Sequence, residues 1–395
     1  MSRLSKRHIL PILFAACLLS ACGGGASSTS NDPADADLPP VTTLAAGVTQ
    51  TANLAIDQYI QGQLVEQRIP GVTLVVVDNG TVVYAKGYGY ANVESARPVR
   101  PEDRFEIGSI TKSFAASALM LLVEEGKIAL SDTLDKYIDG LPLASRAITI
   151  RQLLSHTAGI VEFPDNAYYT ALRANQGFTE EASLAQFIAY PLRWQPGSAY
   201  GYSNVGFDLV GILIHKVSGK PYFDFLRERI FTPLGMSSVR QIAPQLSAEG
   251  FATGYEIFLN HRRAVKTSDA EMSYLGMAAS GIQVSAMDMA KWDAALYTER
   301  ILKKSSLDLM WTNQALVQAA NADSPDIYYG LGWQLRIQNG NRWVYHSGGM
   351  PGHVTEFMRY PDHKMTIIVL TNLDDQHANA RKIVRAVSQI VNPAL

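Results

Sequence analysis

Apolar residues recur with helical spacing at Leu54, Ile56, Tyr59, Ile60 and Leu64, which predicts a helix over 49–68 that Pro70 ends. The period then changes. Two β-branched runs, 72–78 and 81–87, flank Asn79-Gly80, a dipeptide suited to a two-residue hairpin turn, so a sheet begins here. From Ser113 to Val123 the chain is apolar nearly all round, as in a buried helix, with Gly126 as its C-cap. Out to about 293 the pattern is helical or irregular, with the clearer helices at 132–138, 149–154, 184–189, 205–217 and 222–230. Strand patterns return at 329–338 and 342–347 around Asn339-Gly340, and at 353–360 and 364–371, joined by Pro361-Asp362-His363. A helix over 378–391 closes the chain.

Strands thus lie at both ends of the sequence and helices in the middle, and the short hairpin connections predict a largely antiparallel sheet. The expected fold is α/β of the α+β type. N- and C-terminal strands form one sheet lobe (about 49–108 and 294–395), flanked by helices, with a mostly helical lobe (about 109–293) inserted between them. A cleft between the lobes is the default place for a site. No internal repeat is visible.

The N-terminus obeys different rules. Arg3, Lys6 and Arg7 precede the apolar run 9–19, which closes with Leu19-Ser20-Ala21-Cys22. A basic segment, a short apolar core and small residues before a cleavage point make a secretory signal, too short for a comfortable membrane span. The ending resembles a bacterial lipobox, which makes residues 1–22 a lipoprotein signal and Cys22 the lipidated first residue of the mature chain. Residues 23–48 are small, polar and proline-bearing and read as a flexible tether behind a membrane anchor. Gly23 after the cysteine, in place of aspartate, points to the periplasmic face of the outer membrane. Cys17 leaves with the signal, so the mature chain is expected to hold no disulfide and no cysteine-based metal site. A net charge of −2 over 395 residues gives no footprint for nucleic acid.

Candidate chemistry centres on Ser109 and Lys112, one helical turn apart at the start of the apolar helix, so the amine can reach the hydroxyl without help from the tertiary fold. No other serine has a lysine three residues on. Two further stretches stand out. In Tyr200-Gly201-Tyr202-Ser203-Asn204-Val205-Gly206, alternation puts Tyr202 and Asn204 on one side, although the stretch also fits a tyrosine packed on a helix start that Asn204 caps. In His346-Ser347-Gly348-Gly349, glycines on a strand expose backbone N–H groups as an oxyanion site requires, although a plain turn fits as well. His156 reads as structural. There is no His-Glu-x-x-His and no phosphate-cradling loop, and 201–206 is one residue too long for the Gly-x-Ser-x-Gly elbow that would make Ser203 a nucleophile.

Ser109-Ile110-Thr111-Lys112, Tyr202-Ser203-Asn204 and His346-Ser347-Gly348, in this order, resemble the three motifs of the serine β-lactamase and penicillin-binding superfamily. The resemblance is to the branch of class C β-lactamases, D-alanyl-D-alanine carboxypeptidases and family VIII esterases, and it spans about 57–372. It implies an acyl-enzyme on Ser109, with Lys112 and Tyr202 sharing its proton and the N–H groups of Ser109 and Gly349 forming the oxyanion hole. Asn204, His346, Ser347, Gly348 and Gly349 would bind substrate, and Asn204 would also orient Lys112. No metal or cofactor is implied. At the third motif class C β-lactamases usually carry lysine, whereas His346 is mostly neutral near pH 7. The expectation is therefore an esterase or D-amino-acid peptidase acting on a small-molecule or peptide substrate. A class C-type β-lactamase hydrolysing β-lactams and a non-catalytic penicillin-binding or sensor lipoprotein are the alternatives. The loops at Tyr168-Tyr169 and 255–266 would shape the pocket, and oligomeric state stays open.

Overall fold

A computed structural model describes residues 48–160, 180–242, 249–258, 261–264, 277–321, 324–374 and 377–395. The signal, Cys22, nearly all of the tether and the Tyr168-Tyr169 loop lie outside these residues.

The Asn79-Gly80 turn takes positive φ at both positions, 49° and 75°, which only residues tolerant of the left-handed region adopt cheaply. It joins β1 (Gly71–Asp78) to β2 (Thr81–Asn92). Short strands β3 (Arg97–Pro98), β4 (Arg104–Glu106), β5 (Arg240–Gln241), β6 (Tyr255–Phe258), β7 (His261–Ala264) and β8 (Ile282–Ser285) follow. The C-terminal set is β9 (Ala315–Gln318), β10 (Ile327–Tyr329), β11 (Gln334–Gln338), β12 (Asn341–Met350), β13 (His353–Tyr360) and β14 (Met365–Thr371). One nine-stranded antiparallel sheet has the order β3-β2-β1-β14-β13-β12-β11-β10-β9. The first long strand and the last are neighbours inside it, third and fourth in that order, with Val75 opposite Ile368. Both are apolar on each face because the sheet is covered twice.

Residues of alternating parity feed two cores. Val75, Val77, Ile368 and Leu370 face one side, with α2 (Thr111–Glu124), α3 (Asn204–Ser218) and α4 (Ala286–Ala295). Val72, Leu74, Val76, Ile367 and Val369 face the other, under α1 (Gln50–Glu66) and α5 (Ala380–Val391). Thr49 caps α1 by accepting from the Ala52 N–H at 3.2 Å. The fully buried pair Arg359–Asp293, at 2.6 Å, ties α4 to β13, and Thr366 of β14 donates to the same carboxylate oxygen at 2.7 Å. Among the described residues no helix is long and apolar enough to cross a membrane.

The chain departs from its periodicity in a few places. The run 329–338 is two strands and not one, because Gly330 to Trp333 turn over α2. Gly332 has φ 78°, and a Cβ there would meet the Ala116 Cβ at 2.5 Å. The helix at 222–230 gives way after Leu226 to a wider π turn, Arg227–Phe231, and 132–138 holds only the 3₁₀ turn Leu134–Lys136. Strands β5 to β8 lie in a stretch expected to be helical or irregular. They are two to four residues long, too short for alternation to be read, and β8 pairs with β4 and β5 in a second small sheet.

Candidate active site

The turn entering α2 is shaped by contact with β12. Gly108 has φ 51°, and a Cβ on it would lie 2.8 Å from the Gly349 nitrogen and 2.7 Å from its oxygen. A Cβ on Gly348 would lie 1.9 Å from the Ile107 carbonyl oxygen, which also accepts from Thr355 Oγ1 at 3.1 Å. Only glycines let two backbones meet this closely. Ser109 therefore sits in a 3₁₀ turn, Gly108–Ile110, just ahead of α2 and not on its first regular residue, and its side chain stays partly open to solvent.

Lys112 is fully buried. Its ammonium donates to Ser109 Oγ at 2.9 Å, Asn204 Oδ1 at 2.7 Å and the Ala279 carbonyl at 2.9 Å, which uses every proton it has. Its Nζ also lies 4.7 Å from the centre of the Tyr202 ring and 5.6 Å from that of Phe207. Tyr202 donates its hydroxyl to Ser109 Oγ at 2.7 Å. The Ser109 oxygen thus has two proton-handling groups within 2.9 Å, from segments about ninety residues apart in sequence. Asn204 opens α3, but the cap is Ser203, whose buried hydroxyl accepts from the Gly206 N–H at 3.1 Å. Ser203 is spent on that cap.

His156 forms the wall behind Tyr202. Its ring centre is 4.3 Å from that of Tyr202 and 4.5 Å from that of Tyr329, and Nδ1 accepts from the Ser203 N–H at 3.1 Å. Burial, with Lys112 and His346 adding to it, holds its pKa well below 6.5. His346 is buried too, and both ring nitrogens are committed. Nδ1–H donates to the Ser347 carbonyl at 2.7 Å, and Nε2 accepts from the Tyr329 hydroxyl at 2.9 Å. Burial first, then the charge of Lys112, push its pKa down to about 3. It is a neutral imidazole at any physiological pH. Because it must stay neutral in the fold but can charge in the unfolded chain, stability is lost as pH falls from about 6.5 towards 3. Alternation along β12 turns the half-buried Ser347 away from the face carrying His346.

The structure thus joins Ser109, Lys112, Tyr202 and Asn204 in one hydrogen-bonded cluster, sets the Gly349 backbone beside Gly108, and puts His346 behind the cluster. Two groups escaped the sequence reading. In the sequence Tyr329 is only the first residue of the strand pattern 329–338, with nothing to pair it with His346. The Ala279 carbonyl is a backbone group, which no side-chain pattern reports.

Comparison with known proteins decides the family. The family model described as Beta-lactamase matches residues 56–391. The chain belongs to the β-lactamase family. A relative within it, "Penicillin-binding protein 4*" of Bacillus subtilis (strain 168), is 30% identical over 333 residues, covering 81% of this chain and 72% of the relative. Among solved structures, an octameric penicillin-binding protein homologue from Pyrococcus abyssi superposes with a TM-score of 0.75 at 29% identity, covering 86% of this chain and 77% of that one. The D-amino acid amidase from Ochrobactrum anthropi SV3 complexed with D-phenylalanine gives a TM-score of 0.72 at 25% identity, covering 86% and 100%. The antiparallel sheet flanked by helices is the architecture of these β-lactamase-fold neighbours, and the protein is a serine hydrolase of that family.

Proposed function

We propose that the protein hydrolyses small neutral esters and amides, D-amino-acid amides and peptides among them, through an acyl-enzyme on Ser109. Ser109 Oγ attacks the carbonyl carbon while its proton passes to Lys112 Nζ or Tyr202 Oη, whichever of the two is unprotonated at that moment. The N–H groups of Ser109 and Gly349 hold the oxyanion, each donor of this kind contributing about 10²- to 10³-fold. The tetrahedral intermediate collapses, the leaving alcohol or amine takes the proton, and the acyl group stays on Ser109. Water attacks the acyl carbonyl and gives a proton to Tyr202 Oη in its unprotonated form; on collapse Ser109 Oγ leaves, takes that proton back, and the carboxylic acid is released. Asn204 fixes Lys112 and offers an amide to the substrate.

The observation that carries the choice of substrate is the state of His346. A neutral imidazole with both nitrogens engaged inside the protein cannot supply the fixed cation that would hold a substrate carboxylate. The likeness to a D-amino acid amidase supports the same reading. The deciding experiment is a panel of a chromogenic short-chain ester, a D-amino-acid amide, a D-Ala-D-Ala peptide and a chromogenic cephalosporin. The ester or the D-amide is expected to exceed the cephalosporin in kcat/KM by at least about tenfold, one charge-assisted contact. A cephalosporin as best substrate would overturn the reading.

His346→Lys tests the same point from the other side. It is expected to raise kcat/KM for carboxylate-bearing substrates relative to neutral esters by about tenfold, the worth of one hydrogen bond to a charged group. It should also make the ratio depend on pH where the wild type is flat. A ratio equal to wild type would remove His346 from the specificity argument.

The lipobox further supports an exported protein held at the periplasmic face of the outer membrane by Cys22. Cys22→Ala is expected to move the protein from the membrane to the soluble fraction of a cell lysate. Persistence in the membrane fraction would count against the anchor.

A further inference from the structure

Tyr202 reaches Ser109 from a stretch with no regular structure of its own. From 191 to 203 the chain has neither helix nor strand, so the bonds that fix the Tyr202 hydroxyl 2.7 Å from Ser109 Oγ must come from outside it. Three of them come from one turn, the one that follows the short helix Ile150–Leu154. There the Gly159 carbonyl accepts from the Arg193 N–H at 2.8 Å, the Thr157 carbonyl from the Gly197 N–H at 2.7 Å, and the His156 carbonyl from the Gly201 N–H at 2.8 Å.

His156 makes the contacts nearest to Tyr202. Its carbonyl takes the N–H just before that residue, and its Nδ1 takes the one just after, from buried Ser203, at 3.1 Å. Its ring lies along the Tyr202 ring, with centres 4.3 Å apart and planes tilted by 38°. One residue thus grips Tyr202 on both main-chain sides and along its side chain. Burial keeps the imidazole uncharged, so Nδ1 stays an acceptor at neutral pH. Nε2 is buried among rings, Tyr329 at 4.5 Å and Phe207 at 5.0 Å between centres, and has no hydrogen-bond partner among the described residues. The bond to Ser203 is therefore what orients the ring.

The backbone makes the presence of a histidine here informative. The helix Ile150–Leu154 ends in a Schellman motif, in which the His156 N–H donates to the Leu153 carbonyl at 3.2 Å and the Thr157 N–H to that of Gln152 at 2.9 Å. His156 occupies its left-handed position, at φ 57°. Glycine fills that position without strain, and the turn alone asks for nothing more. A side chain kept there against strain points to work done by the side chain.

We propose that His156 is a positioning residue for the proton relay, holding the Tyr202 phenol against Ser109 Oγ through its carbonyl, its Nδ1 and its ring. The inference rests on the mechanism proposed above, in which Tyr202 handles the Ser109 proton.

Two substitutions remove one contact each. His156→Asn suits a positive φ and keeps an acceptor for the Ser203 N–H, but has no ring. His156→Phe keeps a ring and leaves that buried N–H unmet, which endangers the fold, so His156→Asn carries the test if the other variant does not fold. Steady-state kinetics on a chromogenic short-chain ester are compared in the wild-type and Tyr202→Phe backgrounds, at a temperature where circular dichroism shows each variant folded. Each His156 variant is expected to lower kcat about tenfold, below the roughly 10²-fold that a 1 Å misplacement can cost, with KM changed by less than about twofold. In the Tyr202→Phe background the same substitutions should cost nothing further, because the hydroxyl they misplace is gone. A histidine that served only the fold would lower kcat equally in both backgrounds. That equal loss, a change confined to KM, or wild-type kcat in every His156 variant that folds would overturn the inference. Wild-type kcat in Tyr202→Phe alone would instead overturn the relay, and this inference with it.

Discussion

Ser109→Ala is expected to lower kcat on the best ester by on the order of 10⁴- to 10⁶-fold, the range seen when the nucleophile of a serine hydrolase is removed. The oxygen deleted is the one that Lys112 Nζ and the Tyr202 hydroxyl both approach. The loss should fall on kcat and not on KM, since the proposed substrate contacts, Asn204 and the β12 backbone, remain. It should also leave the fold intact, because the Lys112 ammonium keeps Asn204 and the Ala279 carbonyl as acceptors. Steady-state kinetics and intact mass together check this. An acyl adduct should appear on the wild type during turnover and not on the variant. Turnover that survives Ser109→Ala for every substrate tried would move the nucleophile elsewhere.

Asp293→Ala is expected to destabilise the protein by about 3–5 kcal/mol, the cost of leaving a buried charge without its partner. Arg359 and Asp293 are both fully buried, and Arg359 also packs 4.6 Å from the centre of the Tyr297 ring and 4.9 Å from that of Trp311. Without the carboxylate the guanidinium keeps its rings but loses the only negative group bonded to it among the described residues, and Thr366 loses its acceptor. Replacing both members, Asp293→Ala with Arg359→Met, should recover part of the loss, because the uncompensated charge is then gone. Denaturant unfolding measures both. A single variant as stable as wild type, or a double variant no better than the single, would show that the pair contributes little.

What the sequence disclosed depended on the range over which each signal acts. The Asn79-Gly80 hairpin, the buried α2 and the amphipathic ends of α1 and α5 are local and were legible. So was the Ser109–Lys112 pair, since one helical turn fixes it. Tyr202 and Asn204 stood out as a motif, but only the tertiary fold brings them to Ser109. His346 was legible as a departure from lysine. Its confinement was not, because that depends on Tyr329, seventeen residues away across β10 and β11. Strands β5 and β8 were hidden by their length.

The adjacency of β1 and β14 has a consequence for how activity is acquired. A ribosome delivers Ser109 and Lys112 early, yet the strand that brings Gly349 to them is made about 240 residues later, and the sheet's central pairing waits for Thr371. Contacts this distant in sequence close slowly. A chain that lacks β12 therefore holds Ser109 and Lys112 without the Gly349 N–H that the proposed mechanism uses for the oxyanion. On the proposed mechanism, activity waits until the C-terminal strands have paired.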